Sequence, residues 1–107
     1  MSYECCGPIL SPVVKDTIIN APFLALVSVS KEGKPHTIVV GKVKEIKEDD
    51  TLIFGIYKMQ KTRENLSETG FLQVAAVVGK SGYRITGNAS FTDSEVILTV
   101  ETVESLL

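Results

Sequence analysis

The sequence predicts a mainly β domain, a six-stranded antiparallel barrel with two short helices. Six segments of strand length, apolar or alternating, follow one another at hairpin spacing and are separated mostly by short turn-forming stretches. Alternation of apolar and polar residues, which is typical of a half-buried strand, is clearest over residues 83–91. The 107 residues are enough for one domain with a real core and too few for two.

Both helices are predicted from the residues at their ends. Ser11 is a suitable N-cap, and Pro12 fits the first helical position, where its missing N–H costs nothing. This helix should run to about Asn20, before Pro22 makes the chain extended. The second helix should follow the third strand and end at Gly70.

The predicted strands lie between these helices and the turns. Gly33 can take a positive φ in the turn before the second strand. The second strand is long, and its alternation slips phase before Ile46, which indicates a bulge or a bend. The six predicted strands are 23–30, 35–46, 51–56, 71–78, 83–91 and 95–103.

The charge distribution favours a small anionic ligand. A net charge of −2 and an isoelectric point near 5.4 argue against general affinity for nucleic acid. Eight of the eleven basic residues nevertheless lie between positions 31 and 63, which makes this region locally positive. These residues are Lys31, Lys34, Lys42, Lys44, Lys47, Lys58, Lys61 and Arg63.

No membrane partner and no metal site are predicted. No segment approaches the roughly 18 apolar residues of a membrane span, and no secretory signal is evident, so we expect a cytoplasmic protein. Residues 1–107 should form a single domain, with 1–10 as a loose N-terminal segment. Cys5 and Cys6 are adjacent in this N-terminal segment, and we expect them to be free thiols rather than a disulfide bond with each other. His36 is the only histidine, which excludes a multi-histidine metal centre.

The segment 57–65 is the most informative part of the chain. It joins an apolar strand to an amphipathic helix and brings lysines, a threonine hydroxyl and the free N–H groups of a helix start to one place. Unpaired amides and the positive end of the helix dipole both favour a phosphate. From these residues alone, a phosphate site and a solvated basic turn are about equally supported.

Residues for conventional catalysis are scarce. The serines form no Gly-x-Ser-x-Gly elbow, the acidic residues form no paired-carboxylate pattern, and no dinucleotide fingerprint or P-loop is present. No catalytic residue is therefore predicted. If the protein performs chemistry, a bound cofactor should supply it.

Three segments, 23–29, 33–41 and 54–66, together resemble the FMN-binding split-barrel family. This family includes pyridoxamine 5′-phosphate oxidase and the small bacterial FMN-binding proteins. The most specific match is 59–65, Met-Gln-Lys-Thr-Arg-Glu-Asn, which is especially similar to the small FMN-binding proteins. Residues 83–91 and 96–100 also resemble the closing strands of the family. The resemblance extends from about Val13 onward.

The resemblance implies a split β-barrel of the Greek-key type that forms a homodimer, with FMN held in clefts at the interface. Lys61 and Thr62 match the phosphate-binding pair, Lys61 as a charge and Thr62 as a hydroxyl donor and helix cap. Gln60 would donate to the phosphate or the ribityl chain. Gly55 and Ile56 match positions that flank these groups.

The isoalloxazine ring would lie along the second strand. The resemblance implies that this strand contacts the ring mainly through its backbone. Gly41 has no side chain, so a flat ring can approach its backbone closely. The matching positions are Val39, Val40, Gly41 and Lys42.

The sequence departs from the oxidase itself. The oxidase has arginine and lysine where this chain has Lys61 and Thr62, and it begins the ring-binding strand with an arginine where this chain is apolar. Its C-terminal substrate-binding region has no counterpart before Leu107. We therefore expect FMN binding but not oxidation of pyridoxamine 5′-phosphate.

Three functions follow from this reasoning. The first is an FMN protein that transfers electrons or acts as a small oxidoreductase with a small-molecule or protein redox partner. The second is a non-enzymatic module that binds another flavin, a deazaflavin, haem or no cofactor. The third, a barrel that binds single-stranded nucleic acid, ranks last because Tyr57 and Tyr83 are the only suitable stacking platforms.

Overall fold

The computed structural model describes residues 10–55 and 59–106. Two helices and seven strands make up this part of the chain, and every strand pairing is antiparallel. In chain order they are α1 (Pro12–Asn20), β1 (Leu24–Val29), β2 (Pro35–Val40), β3 (Glu45–Lys47), β4 (Thr51–Gly55), α2 (Gln60–Thr69), β5 (Phe71–Val78), β6 (Ser81–Phe91) and β7 (Glu95–Ser105).

Helix α1 begins and ends where the sequence predicts. Ser11 is the N-cap and its hydroxyl accepts a hydrogen bond from the Val14 N–H at 3.3 Å, while Pro12 occupies the first position. The helix ends at Asn20, and Ala21 is extended. Val14 and the rest of the inward face pack into the core, so α1 lies against the barrel.

The seven strands form one sheet in the order β2-β1-β5-β6-β7-β4-β3. Strands β2 and β3 lie at opposite ends of this order, yet only residues 41–44 separate them along the chain. The sheet must therefore curl so that its two borders meet at this link, which makes it a barrel. The prediction of a mainly β antiparallel barrel with two helices is confirmed, with one more strand than the six predicted.

The extra strand arises because the predicted second strand breaks in two. The Lys44 N–H donates to the Ile53 carbonyl at 2.7 Å, and Glu45 is the register partner of the same residue. Two successive residues thus face one, which is the pattern of a β-bulge. The phase slip before Ile46 predicted this irregularity, and the strand is interrupted there rather than merely bent.

The other strand boundaries differ from the prediction by a few residues. Strand β6 begins at Ser81, inside the predicted turn, and β7 continues to Ser105. Strand β4 ends at Gly55, and the predicted last residue of this strand, Ile56, lies outside the described residues. Gly33 takes the expected positive φ, 86°.

The core fills the barrel and the space under both helices. Phe54, Leu72 and Ile85 are among its fully buried side chains. At Gly87 the backbones of β6 and β7 approach so closely that a Cβ would overlap the carbonyl of Thr99. The register of β6 and β7 shifts at this point, so glycine is required by the packing.

Among the described residues, no helix is both long enough and apolar enough to cross a membrane. The proposed loose segment 1–10 lies almost wholly outside the described residues, and so do Cys5 and Cys6.

Candidate functional site

The first turn of α2 presents unpaired amides. Met59 is the N-cap and makes no capping hydrogen bond through its side chain. The Arg63 N–H donates to the Met59 carbonyl at 2.9 Å, so the amides of Gln60, Lys61 and Thr62 precede the first intrahelical bond. No acidic residue lies in this turn. The turn is therefore suited to an anion.

Thr62 occupies an unusual position in this turn. Its side chain is 1% exposed, and its hydroxyl oxygen has no hydrogen-bond partner within the described part of the chain. A buried hydroxyl that lacks a partner costs about 1–3 kcal/mol. The predicted capping role of Thr62 is wrong, because Met59 occupies the N-cap. Its hydroxyl remains an unused donor near the helix start.

The Lys61 side chain is accessible and only weakly paired. Its ammonium nitrogen lies 3.8 Å from Oε1 of Glu64, one helical turn along, with both side chains more than half exposed. Exposed ion pairs of this kind contribute little, about 0.2–1 kcal/mol. The Lys61 ammonium can therefore exchange this partner for a more strongly bound anion.

Two side-chain hydrogen bonds, one of them buried, hold α2 against β1. The Asn65 amide donates to the Ser28 hydroxyl at 3.0 Å, in a buried pair. The Thr69 hydroxyl donates to the Val29 carbonyl at 2.9 Å. Gly70 ends the helix, as predicted, and takes the left-handed conformation, with φ of 71°. The first turn is thus held in a set position relative to the barrel.

The predicted ring-binding residues lie at the end of β2 and in the link 41–44. Val39 is strongly exposed, Val40 is half-buried, and Gly41 and Lys42 are exposed. No backbone–backbone hydrogen bond among the described residues involves 41–43, so the amides and carbonyls of this stretch are available. A Cβ on Gly41 would meet no neighbour within 4 Å, so packing does not require glycine there.

The side chain of Lys42 has a structural contact that the sequence did not reveal. Its ammonium donates to the Ile19 carbonyl at 3.2 Å, in the last turn of α1. A cation at a helix C-terminus interacts favourably with the dipole and with unpaired carbonyls. Lys42 therefore joins the link 41–44 to α1 through one of its three ammonium N–H groups.

Gly55 connects the two halves of the candidate site. Gly55 is the register partner of Glu95 on β7. The Glu95 carboxylate forms an ion pair with the Lys44 ammonium at 2.6 Å, so Gly55 and the link 41–44 lie at the same end of the barrel. Four chain steps separate Gly55 from Met59, which limits their separation to about 14 Å. No hydrogen bond among the described residues joins 39–42 to 60–62. Ile56 lies outside the described residues.

A cleft beside the first turn was not predicted. It has a volume of about 290 Å³ and lies between the outer face of α2 and the end of β6. The sequence contains a signal for one wall, because polar side chains recur along α2 at helical spacing. The opposite wall, Phe91, could not be assigned without the fold. The lining residues are Gln60, Arg63, Glu64, Ser67 and Phe91.

The described residues contain no group of three or more His, Cys, Asp or Glu side chains that could hold a metal ion.

The fold and the site together define a split-barrel protein in which the start of α2 presents unpaired amides. The family model for pyridoxamine 5′-phosphate oxidase matches residues 10–101, and the chain belongs to this family. The resemblance inferred from 59–65 is therefore confirmed at the level of the family. No curated protein shows significant sequence similarity to the chain.

Solved structures show the same fold. HupZ from Group A Streptococcus is 20% identical, with a TM-score of 0.77 over 90% of this chain and 93% of that one. An FMN-binding protein from Syntrophomonas wolfei subsp. wolfei is 16% identical, with a TM-score of 0.67 over 78% and 76%. HutZ, the heme storage protein from Vibrio cholerae, is 12% identical, with a TM-score of 0.64 over 90% and 94%.

Proposed function

We propose that this chain binds FMN and serves as an electron-transfer protein or a small flavin-dependent oxidoreductase. The observation that carries the proposal is the first turn of α2, where open amides, an accessible lysine and the unpartnered hydroxyl of Thr62 occur together. The structural similarity to an FMN-binding protein supports the same reading.

The phosphate of FMN would bind at this turn. The amides of Gln60, Lys61 and Thr62 supply hydrogen-bond donors without any rearrangement of the helix. The Lys61 ammonium supplies the charge that a phosphate dianion requires. The Thr62 hydroxyl is buried, so it would gain the phosphate as a partner only if a small movement of the covering side chains exposed it; that partner would remove the cost of leaving it unsatisfied.

The ring would lie against residues 39–42. Gly41 and its neighbours leave backbone donors and acceptors open, and these groups match the alternating acceptors and donors along a flavin's pyrimidine edge. Backbone N–H groups aimed at that edge would favour negative charge on it, as preorganised donors do elsewhere. Bound flavin would supply the redox chemistry, while the chain positions it and sets the surrounding charge.

A homodimer would complete the ring site. Val39 is 63% exposed, and the β1 and β5 residues beside it in register are the small apolar Ala25 and Ala75. Phe23 and Val77 add further exposed apolar surface. A second copy that covers this face would remove it from water and enclose a flat ligand lying on β2. Sedimentation at micromolar concentration should show a dimer, and a monomer would remove this part of the proposal.

Haem binding is the second candidate. It is favoured by the structural similarity to the heme storage protein HutZ and by His36, which is half-buried on β2 beside Ser28. An imidazole at this position is the available histidine ligand for haem iron, because the sequence has no other. Titration of the purified protein with haemin and with FMN, followed by visible absorption, separates the two candidates.

A comparison of FMN with riboflavin tests the central feature of the proposal. The two ligands share the ring and the ribityl chain, but riboflavin lacks the phosphate. If the phosphate binds at α2, FMN should bind more tightly by 100-fold or more, about 3 kcal/mol, which corresponds to two or three charge-assisted hydrogen bonds. Flavin fluorescence quenching measures both constants. Equal affinities would place the phosphate in solvent and refute the site.

A further inference from the structure

The cleft between α2 and β6 has a cationic wall that the FMN proposal leaves unused. The Arg63 guanidinium carbon lies 5.0 Å from the centre of the Phe91 ring, within the range of a cation–π contact. Contact with the ring limits the freedom of the guanidinium and therefore the directions of its N–H groups.

Arg63 has no anionic partner among the described residues. Its Nε is buried and has no hydrogen-bond acceptor there, and the neighbouring Glu64 pairs with Lys61 instead. Arg84 shows the contrast, because it pairs with Glu104 at 3.4 Å on the barrel surface. No ion pair has to be broken before the guanidinium binds an anion, so a ligand carboxylate keeps the full energy of its charge-assisted hydrogen bonds.

From this geometry we infer that the cleft binds a small organic monocarboxylate on Arg63. A carboxylate can accept two parallel hydrogen bonds from a planar guanidinium, and the terminal N–H groups are the ones open to it, because the Nε atom is buried. The inference goes beyond the proposed function, since it requires no bound flavin and uses different side chains for the anion.

The remaining lining residues restrict the ligand. The cleft is shallow and open to solvent, and its volume of about 290 Å³, at the small end of ligand sites, suits a small ligand. The Glu64 side chain also lines the cleft, and its carboxylate repels a dianion more strongly than a monoanion. The Ser67 hydroxyl donates to the Glu64 carbonyl at 2.7 Å, so the hydroxyl oxygen can still accept a hydrogen bond from the ligand. The carboxamide at the end of the exposed Gln60 side chain can donate to a second ligand group.

The test is an NMR titration of the chain 1–107 with benzoate, observing the Nε–H resonance of Arg63 and the ring resonances of Phe91. We expect the Arg63 and Phe91 resonances to shift with the same dissociation constant, on the order of 1 mM, because a ligand of so few atoms binds weakly. Benzamide has the same shape without the charge and should leave them unmoved. Because this readout uses the native chain, it does not depend on the folding of a variant.

Two substitutions and one control complete the experiment. Arg63→Gln and Arg63→Lys should each weaken benzoate binding by about tenfold or more, since neither retains the charged planar fork. Arg84→Gln, on the opposite part of β6, should leave it unchanged. The inference is overturned if the Arg84 Nε–H shifts as much as that of Arg63, if benzamide binds as well as benzoate, or if Arg63→Gln binds normally.

An FMN competition separates this inference from the proposed function. Benzoate and FMN should bind at the same time. If FMN displaces benzoate and Arg63→Gln weakens FMN, the cleft belongs to the flavin site and a separate carboxylate site is refuted. If FMN does not bind at all while benzoate still shifts Arg63, the flavin proposal fails and the carboxylate site stands.

Discussion

Replacement of Lys61 by alanine gives the sharpest test of the phosphate site. The change removes the ammonium group and leaves the amides of the α2 first turn in place. A hydrogen bond to a charged group contributes about 1.5–3 kcal/mol, which corresponds to a 10- to 150-fold loss of FMN affinity. In the parent protein, FMN binding also breaks the exposed ion pair between Lys61 and Glu64, which the variant lacks. This difference reduces the expected loss of affinity by at most about 0.5 kcal/mol, because i,i+3 pairs on a helix surface are weak.

The assay is fluorescence titration of the Lys61→Ala variant with FMN and with riboflavin. Riboflavin should bind the variant and the parent protein equally, because the missing ammonium faces the phosphate. Lys80→Ala is the matched control, since Lys80 lies exposed in the turn between β5 and β6. Glu64→Gln should bind FMN as tightly as the parent or slightly more so, because it frees Lys61.

Two results would refute the reasoning. If Lys61→Ala weakens FMN and riboflavin by the same factor, the lysine supports the ring or the fold and not the phosphate. If it changes neither, the phosphate binds at another place on the chain. Salt gives an independent check, because the difference between the parent and the variant should shrink as ionic strength rises.

Other substitutions test the remaining features. Thr62→Val removes an unsatisfied hydroxyl, so it should leave the free energy of unfolding unchanged or raise it by up to about 1 kcal/mol. The same change should weaken FMN binding by about tenfold. Thermal unfolding and flavin titration measure the two effects, and a loss of stability would mean that the hydroxyl is already satisfied. Gly87→Ala should lower the free energy of unfolding by about 1–3 kcal/mol or more, because its methyl group would overlap a backbone carbonyl of β7. Gly41→Ala has open space around it and should unfold like the parent while binding FMN more weakly; unchanged FMN affinity would place the ring elsewhere.

Local signals predicted most of the fold. Ser11 and Pro12 fixed the start of α1, and Gly70 fixed the end of α2, because capping depends on residues within one turn. The phase slip before Ile46 located the bulge. It did not show that the strand breaks at 41–44, since that depends on β3 pairing with β4 while β2 pairs with β1.

The candidate site was predicted only in part. The basic first turn of α2 follows from the sequence alone, but the burial of Thr62 depends on how α2 packs against the barrel. Lys42 was read as part of a ring-binding strand, and its bond to α1 needed the position of that helix. The stacking of Arg63 on Phe91 joins residues that are distant in sequence, and no local pattern encodes it.

The link 41–44 belongs to both borders of the sheet, so it acts as the seam of the barrel. A molecule that accepts hydrogen bonds from the free backbone amides of this link would act like a short extra strand and connect the two borders of the sheet. A ligand bound at the link 41–44 would then reduce the motion of β2 and β3 together, and it would stabilise the folded barrel.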